Sequence, residues 1–136
     1  MPAPTPAITA LYGALIGLLL VLLTLPISRL RGRLGVGLGD GGHPELARAI
    51  RVHANAVEWA VPAILLLLIA ELTRAPVWFL HACGIVLIVA RIVHALGLSA
   101  KSGHSAGRFL GAAGSVAVVL VLALWDLWAF LRTLLV

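Results

Sequence analysis

Apolar residues along this chain gather into four runs, each separated from the next by a short polar or glycine-rich stretch. The runs cover about Ile8–Ile27, Pro44–Leu72, Pro76–Leu98 and Gly107–Leu131. Each is close to or beyond the ~20 residues that an α-helix needs to cross a bilayer. The pattern predicts an all-α integral membrane protein, a four-transmembrane-helix bundle forming one domain over residues 1–136. The first run is almost purely aliphatic. The second opens with Pro44, a favoured first helical residue, followed by Glu45, whose charge suits a helix N-terminus. Pro76 starts the third in the same way. The connection RLRGRLGVGLGDGG joins the first two runs, and LSAKSGHSAG joins the last two.

The polar positions inside this pattern carry the chemistry. Arg48, Arg51, Asn55 and Glu58 fall within roughly 80° of one another on the second helix and share one face. Ionisable groups on a membrane helix are costly to bury and mark functional sites with partners to be found. Arg91 and His94 stand one turn apart on the third helix, Arg108 opens the fourth, and Arg29, Arg31 and Arg33 follow the first. Such a set offers cationic and amide donors for carboxylates and one carboxylate for an ammonium group. It suits a small zwitterionic, peptide-like anion. Pro62 adds to this: lacking an N–H, it leaves the Glu58 carbonyl without its helical partner.

Composition agrees with the pattern. Of 136 residues, 62% are hydrophobic and 11% charged, and the mean hydropathy is +1.11, outside the range of soluble domains. Net charge is +5, yet the basic residues sit at the ends of apolar runs and form no tract with interleaved aromatics, which excludes nucleic acid. Their distribution instead sets topology. Arg29, Arg31, Arg33, Arg48 and Arg51 flank the first connection, and Arg91, Lys101 and Arg108 the third. The second holds only Arg74 and the C-terminal end only Arg132. The positive-inside rule then puts both termini outside and the first and third loops in the cytosol. Tyr12, Trp78, Trp125 and Trp128 fall toward the non-cytosolic interface as an aromatic belt, with Trp59 the exception. Gly107, Gly111 and Gly114, with Ala113 and Ser115, give the fourth helix a small-residue surface for close packing.

Other readings fall away. MPAPTPAITA has no Lys or Arg and so lacks the basic start of a secretory signal peptide. GVGLGDGG follows a helix and lacks the Lys-Ser/Thr ending of a phosphate-binding loop, so it reads as a surface connection. The single cysteine, Cys83, reads as a small buried hydrophobe. His43, His53 and His104 read as loop or packing residues, and no spacing here resembles a metal site. There is no G-x-S-x-G elbow. Any nucleophile arrives with the substrate.

The stretch GDGGHPELARAIRVHANAVEWAVP resembles the signature of the membrane-associated proteins in eicosanoid and glutathione metabolism, the MAPEG family. Its form R-x-x-x-N-x-x-E-[aromatic]-x-x-P is met by Arg51, Asn55, Glu58, Trp59 and Pro62, and RIVHALGLS with Arg108 also looks like the small bacterial members. The resemblance covers essentially the whole chain. It implies a homotrimer that binds glutathione as co-substrate between neighbouring subunits, and the Arg-rich, Lys-poor, Ala/Leu/Gly-heavy residue usage fits a bacterial inner membrane. Arg51, Asn55 and Glu58 would hold the tripeptide, with help from Arg31 of the adjoining subunit. Arg91 joins this set, and His94 occupies a position that contacts glutathione in some members. Arg108 matches the arginine that stabilises the glutathione thiolate. The chain departs from catalytic relatives at Leu98 and Trp59, where tyrosine is usual, and at Ala54, where some members carry arginine.

Two functions of different class follow. One is a glutathione-dependent enzyme, a transferase or peroxidase acting on lipophilic small molecules. The other is a non-catalytic membrane binding or scaffold protein that keeps the pocket. A small multidrug exporter would place its carboxylate in the first helix, and that run has none.

Overall fold

A computed structural model describes residues 5–100 and 105–135. Lys101 and His104, read above as loop residues, and the first four residues lie outside the described residues. Four helices make up the fold: α1 (Ala7–Leu34), α2 (Pro44–Leu72), α3 (Val77–Ala100) and α4 (Ala106–Thr133). All four are long and apolar enough to cross a membrane. There is no strand among the described residues. A helix of 28 residues such as α1 extends about 42 Å at ~1.5 Å per residue. That exceeds a hydrocarbon core of about 30 Å, so its end projects beyond the lipid tails.

The first helix continues past Ile27 for roughly two turns beyond its apolar run. Arginine is a good helix former, and Arg31 and Arg33 in the last turn complement the negative end of the helix dipole. Hydrophobicity ends at Ile27, whereas the backbone helix stops only where Gly35 takes a left-handed φ of 68° and its N–H bonds back to the Arg31 carbonyl. Pro44 begins α2 as expected. Pro76 stands just outside α3, its carbonyl accepting from the N–H groups of Phe79 and Leu80. Ser105 caps α4: its Oγ accepts from the Arg108 N–H at 3.2 Å and donates to the Gly97 carbonyl of α3 at 3.2 Å.

Small residues bring the helices together. The inner face of α2 presents Ala56, Ala60, Ala63 and Ala70 around Leu67, all buried, allowing close backbone approach. The α3–α4 seam is tighter still. A Cβ on Gly111 would sit 2.5 Å from His94 Cβ and 2.6 Å from the Ala90 carbonyl oxygen. Gly107, Gly111 and Gly114 pack against α3 and Ser115 is buried, so these four form a close-packing surface as expected, whereas Ala113 is exposed. Large aliphatic side chains such as Leu18, Leu65, Ile85 and Leu120 point outward, the inverse of a soluble protein and the arrangement lipid favours.

Tyr12 does not join an interfacial belt. It is buried, its hydroxyl 2.9 Å from His81 Nδ1 and 3.2 Å from the His81 carbonyl, and its ring rests against Gly84, where any side chain would collide with it. At the same end, Glu71 of α2 accepts from the N–H groups of Ile8 at 2.9 Å and Thr9 at 2.7 Å. Those are orphan donors of α1, whose own N-cap residue, Pro6, supplies no side-chain acceptor.

Candidate functional site

The polar face of α2 forms one connected network. Arg51 and Glu58 meet in a two-pronged ion pair, Nη1 to Oε1 at 3.0 Å and Nη2 to Oε2 at 3.4 Å. The two side chains remain 60% and 48% exposed. Asn55 lies between them, its Nδ2 directed at Glu58 Oε2 at 3.5 Å. That amide orientation is fixed from behind, because Arg91 Nη1 donates to Asn55 Oδ1 at 3.1 Å and to the Asn55 carbonyl at 3.3 Å. Arg91 Nη2 reaches across to the Gly111 carbonyl of α4 at 2.9 Å. A single guanidinium thus ties α2, α3 and α4 together.

Arg91 is 1% exposed, and its Nε is buried with no hydrogen-bond partner among the described residues. Beside it, His94 Nδ1 lies 3.1 Å from the Arg108 carbonyl. The ring is within electrostatic reach of Arg91, Arg108 and Arg51. The helices therefore assemble Arg51, Asn55, Glu58, Arg91, His94 and Arg108 into one region. Arg108 is positioned there by the Ser105 cap on its N–H and by His94 at its carbonyl. It is half-buried, in the first turn of α4.

Arg31 and Arg48 are engaged elsewhere within the chain. Arg31 Nη1 donates to the Val36 carbonyl at 3.2 Å, bracing the turn after α1. Arg48 Nη1 reaches the Ser99 carbonyl at 3.5 Å. Arg33 pairs with Glu45 at 2.6 Å, with both side chains exposed, an arrangement contributing at most about 1 kcal/mol. The glycine-rich connection is a surface turn: Gly35, Gly39, Gly41 and Gly42 all have positive φ, and Asp40 Oδ1 accepts from the Gly42 N–H at 2.9 Å. Among the described residues no group of three or more His, Cys, Asp or Glu side chains could hold a metal ion.

Two accessible guanidinium groups, those of Arg51 and Arg108, with one carboxylate and one amide can receive an anion bearing an ammonium group. Glu58 and Arg51 now satisfy each other, so such a ligand would exchange partners with them, its carboxylate taking Arg51 and its ammonium Glu58. The balance of two accessible cations and one carboxylate fits a ligand with two carboxylates and one amine.

The sequence matches the MAPEG family over residues 9–128. This chain belongs to the MAPEG family. Membership puts it among membrane proteins of the glutathione and eicosanoid metabolism type. It is 39% identical over 121 residues to the inner membrane protein YecN of Escherichia coli K12, an alignment covering 89% of this chain and 91% of YecN. YecN of Escherichia coli O6:H1 matches with the same identity and coverage. The motif Arg51–Asn55–Glu58–Pro62 lies inside the matched region, as do Arg91, His94 and Arg108.

Two features of the site were not read from the sequence. The bond from Arg91 to the Gly111 carbonyl has no sequence signature, since any residue offers a carbonyl. Ser105 as the cap that presents Arg108 had a signal, a serine just before the fourth helix.

Proposed function

We propose that the protein is a glutathione-dependent enzyme of the bacterial inner membrane that attaches the glutathione sulfur to lipophilic electrophiles or uses it to reduce lipid hydroperoxides. The observation that carries this reading is the network on α2, in which Arg51 and Glu58 stand exposed while Arg91 holds Asn55 from behind. Arg51, Asn55 and Glu58 bind the charged ends and backbone of the tripeptide. Arg91 and His94 line the inner wall.

Arg108 holds the thiol of bound glutathione in its ionised form, a cation within about 4 Å favouring the thiolate. The thiol proton passes to water. The sulfur electron pair then forms a bond to the electrophilic carbon as the leaving group departs with the bonding pair. Because the face is open in one subunit, we infer that a homotrimer closes it, with Arg31 of the neighbouring subunit reaching the ligand. In this arrangement both termini lie outside and the site faces the cytosol. The location is supported by the relative YecN, which is named an inner membrane protein. The lipophilic substrate enters from the bilayer.

Leu98 favours a second reading. It is buried with Val52 and Ala95 in a small apolar cluster, so hydrocarbon fills the position where the family resemblance leads one to look for a tyrosine hydroxyl. A binding or scaffold protein retaining the glutathione pocket is consistent with this.

Conjugation of glutathione to a generic aryl halide by purified protein separates the two readings. The enzyme reading expects a clear wild-type rate that Arg108→Ala lowers at least about tenfold, the loss of roughly 1.4 kcal/mol of transition-state stabilisation. Glutathione binding without turnover on any electrophile would select the second reading. Unchanged glutathione affinity in Glu58→Gln would remove Glu58 from the site.

A further inference from the structure

A cavity of about 580 Å³ opens at the end of the bundle remote from Arg51 and Glu58, where the last turns of α2 and α4 meet. Leu72, Thr73, Arg74, Trp128, Arg132 and Thr133 line it. The two hydroxyls are already engaged: Thr73 donates to the Ile69 carbonyl at 2.9 Å and Thr133 to the Phe130 carbonyl at 2.7 Å. Thr73 Oγ1 also accepts from Trp125 Nε1 at 3.3 Å. The polar capacity that remains is cationic. No carboxylate is among the described residues that line the cavity, and both carboxylate oxygens of Asp126 on α4 are buried without a hydrogen-bond partner among the described residues.

Arg132 lies over the Trp128 ring, 4.6 Å from its centroid, and its place in the last turn of α4 suits the helix dipole. Arg74 has no such account. It follows α2 in a left-handed conformation, φ 62°, which a residue other than glycine adopts at a cost. Its side chain makes no hydrogen bond or ion pair among the described residues. Trp128, at the cavity, belongs to a chain of rings. Trp128 meets Trp125 at 4.8 Å, Trp125 meets Phe79 at 5.2 Å, and Phe79 meets Trp78 at 6.0 Å. Tryptophans gather at the headgroup level of a bilayer, and planar guanidinium groups match phosphate oxygens there.

We propose that this cavity binds the phosphate of an anionic phospholipid headgroup, with Arg74 and Arg132 as its cationic contacts and Trp128 beside the glycerol. The proposal is independent of the glutathione reading, since the two sites occupy opposite ends of the bundle.

The test uses purified protein in detergent, offered equal amounts of phosphatidylglycerol and phosphatidylcholine. Native mass spectrometry then reports bound lipid and subunit number in one spectrum. Wild type is expected to retain phosphatidylglycerol preferentially. Arg74→Gln with Arg132→Gln is expected to lower that preference about 25-fold, each basic residue near an anionic surface contributing about fivefold. Arg74→Lys with Arg132→Lys keeps the charge and most of the preference. Arg29→Gln with Arg33→Gln removes the same charge at the opposite end, outside the cavity, and is expected to lower the preference less than the cavity pair does.

Equal losses in the two glutamine pairs, no preference in wild type, or displacement of lipid by inorganic phosphate would overturn the proposal. Dissociation of the assembly without a change in lipid ratio would also overturn it and make the cavity a contact between copies. A second measurement needs no arginine variant: brominated phosphatidylglycerol should quench Trp emission in wild type more than brominated phosphatidylcholine does, and Trp128→Phe should reduce that excess. An excess that is unchanged in Trp128→Phe counts against the site.

Discussion

A guanidinium withdrawn from water must find acceptors, and Arg91 finds three: both oxygens of Asn55 and the carbonyl of Gly111. Bonds from a charged donor contribute roughly 1.5–3 kcal/mol each, and an acceptor left buried without a donor costs about as much. Arg91→Leu is therefore expected to destabilise the protein by about 3 kcal/mol or more, read as a shift in the denaturant midpoint in detergent. Arg91→Lys should recover only part of the loss, because a point charge cannot fork toward two helices. The same substitution frees the Asn55 amide to rotate. Glutathione affinity should fall in Arg91→Leu even at temperatures where the variant is fully folded. Affinity equal to wild type in the folded variant would separate Arg91 from the binding of glutathione.

At the scale of the helix, two contacts that join elements carry distinct predictions. Glu71 supplies the N-terminal cap that α1 cannot make for itself. Glu71→Ala should cost about 1–2 kcal/mol, the usual loss for an N-cap acceptor, and should speed hydrogen exchange at the Ile8 and Thr9 amides while leaving α3 protected. The α3–α4 seam depends on the absence of a side chain at Gly111. Gly111→Ala forces a Cβ against Ala90 and His94, an overpacking expected to cost about 1–3 kcal/mol. Gly32 gives the contrast. A Cβ there meets nothing within 4 Å, and Gly32→Ala in the middle of an exposed helical turn should stabilise by up to about 1 kcal/mol through helix propensity alone. Thermal unfolding of the two variants side by side checks both signs.

For the molecule as a whole, the proposed trimer makes a prediction that no single subunit can. If Arg31 comes from one subunit and Arg108 from its neighbour, the Arg31→Ala and Arg108→Ala proteins should each be inactive alone. Coexpression should restore part of the activity, because some mixed trimers contain an intact pair. No recovery on mixing would place both residues in the same subunit's site. Four spans and the α2 motif were legible in the sequence because apolar runs and helical spacing are local properties. The position of α1's end was less so: hydrophobicity stops at Ile27, but Arg31 and Arg33 sustain the helix to a glycine stop. The ties that hold the bundle were not legible at all. Tyr12 with His81, Glu71 with the start of α1, and Arg91 with Gly111 join residues far apart in sequence, and only packing brings them together. The last of these ties also has a temporal meaning. Asn55 precedes Arg91 by 36 residues, and Gly111 follows it by 20, so a growing chain delivers one acceptor before the arginine and the other after it. The three-helix nascent chain must hold a half-satisfied cation within the bilayer until the fourth helix leaves the ribosome. Chains truncated before Gly111 should therefore be degraded faster in the membrane than full-length chains, which pulse-chase half-lives would check.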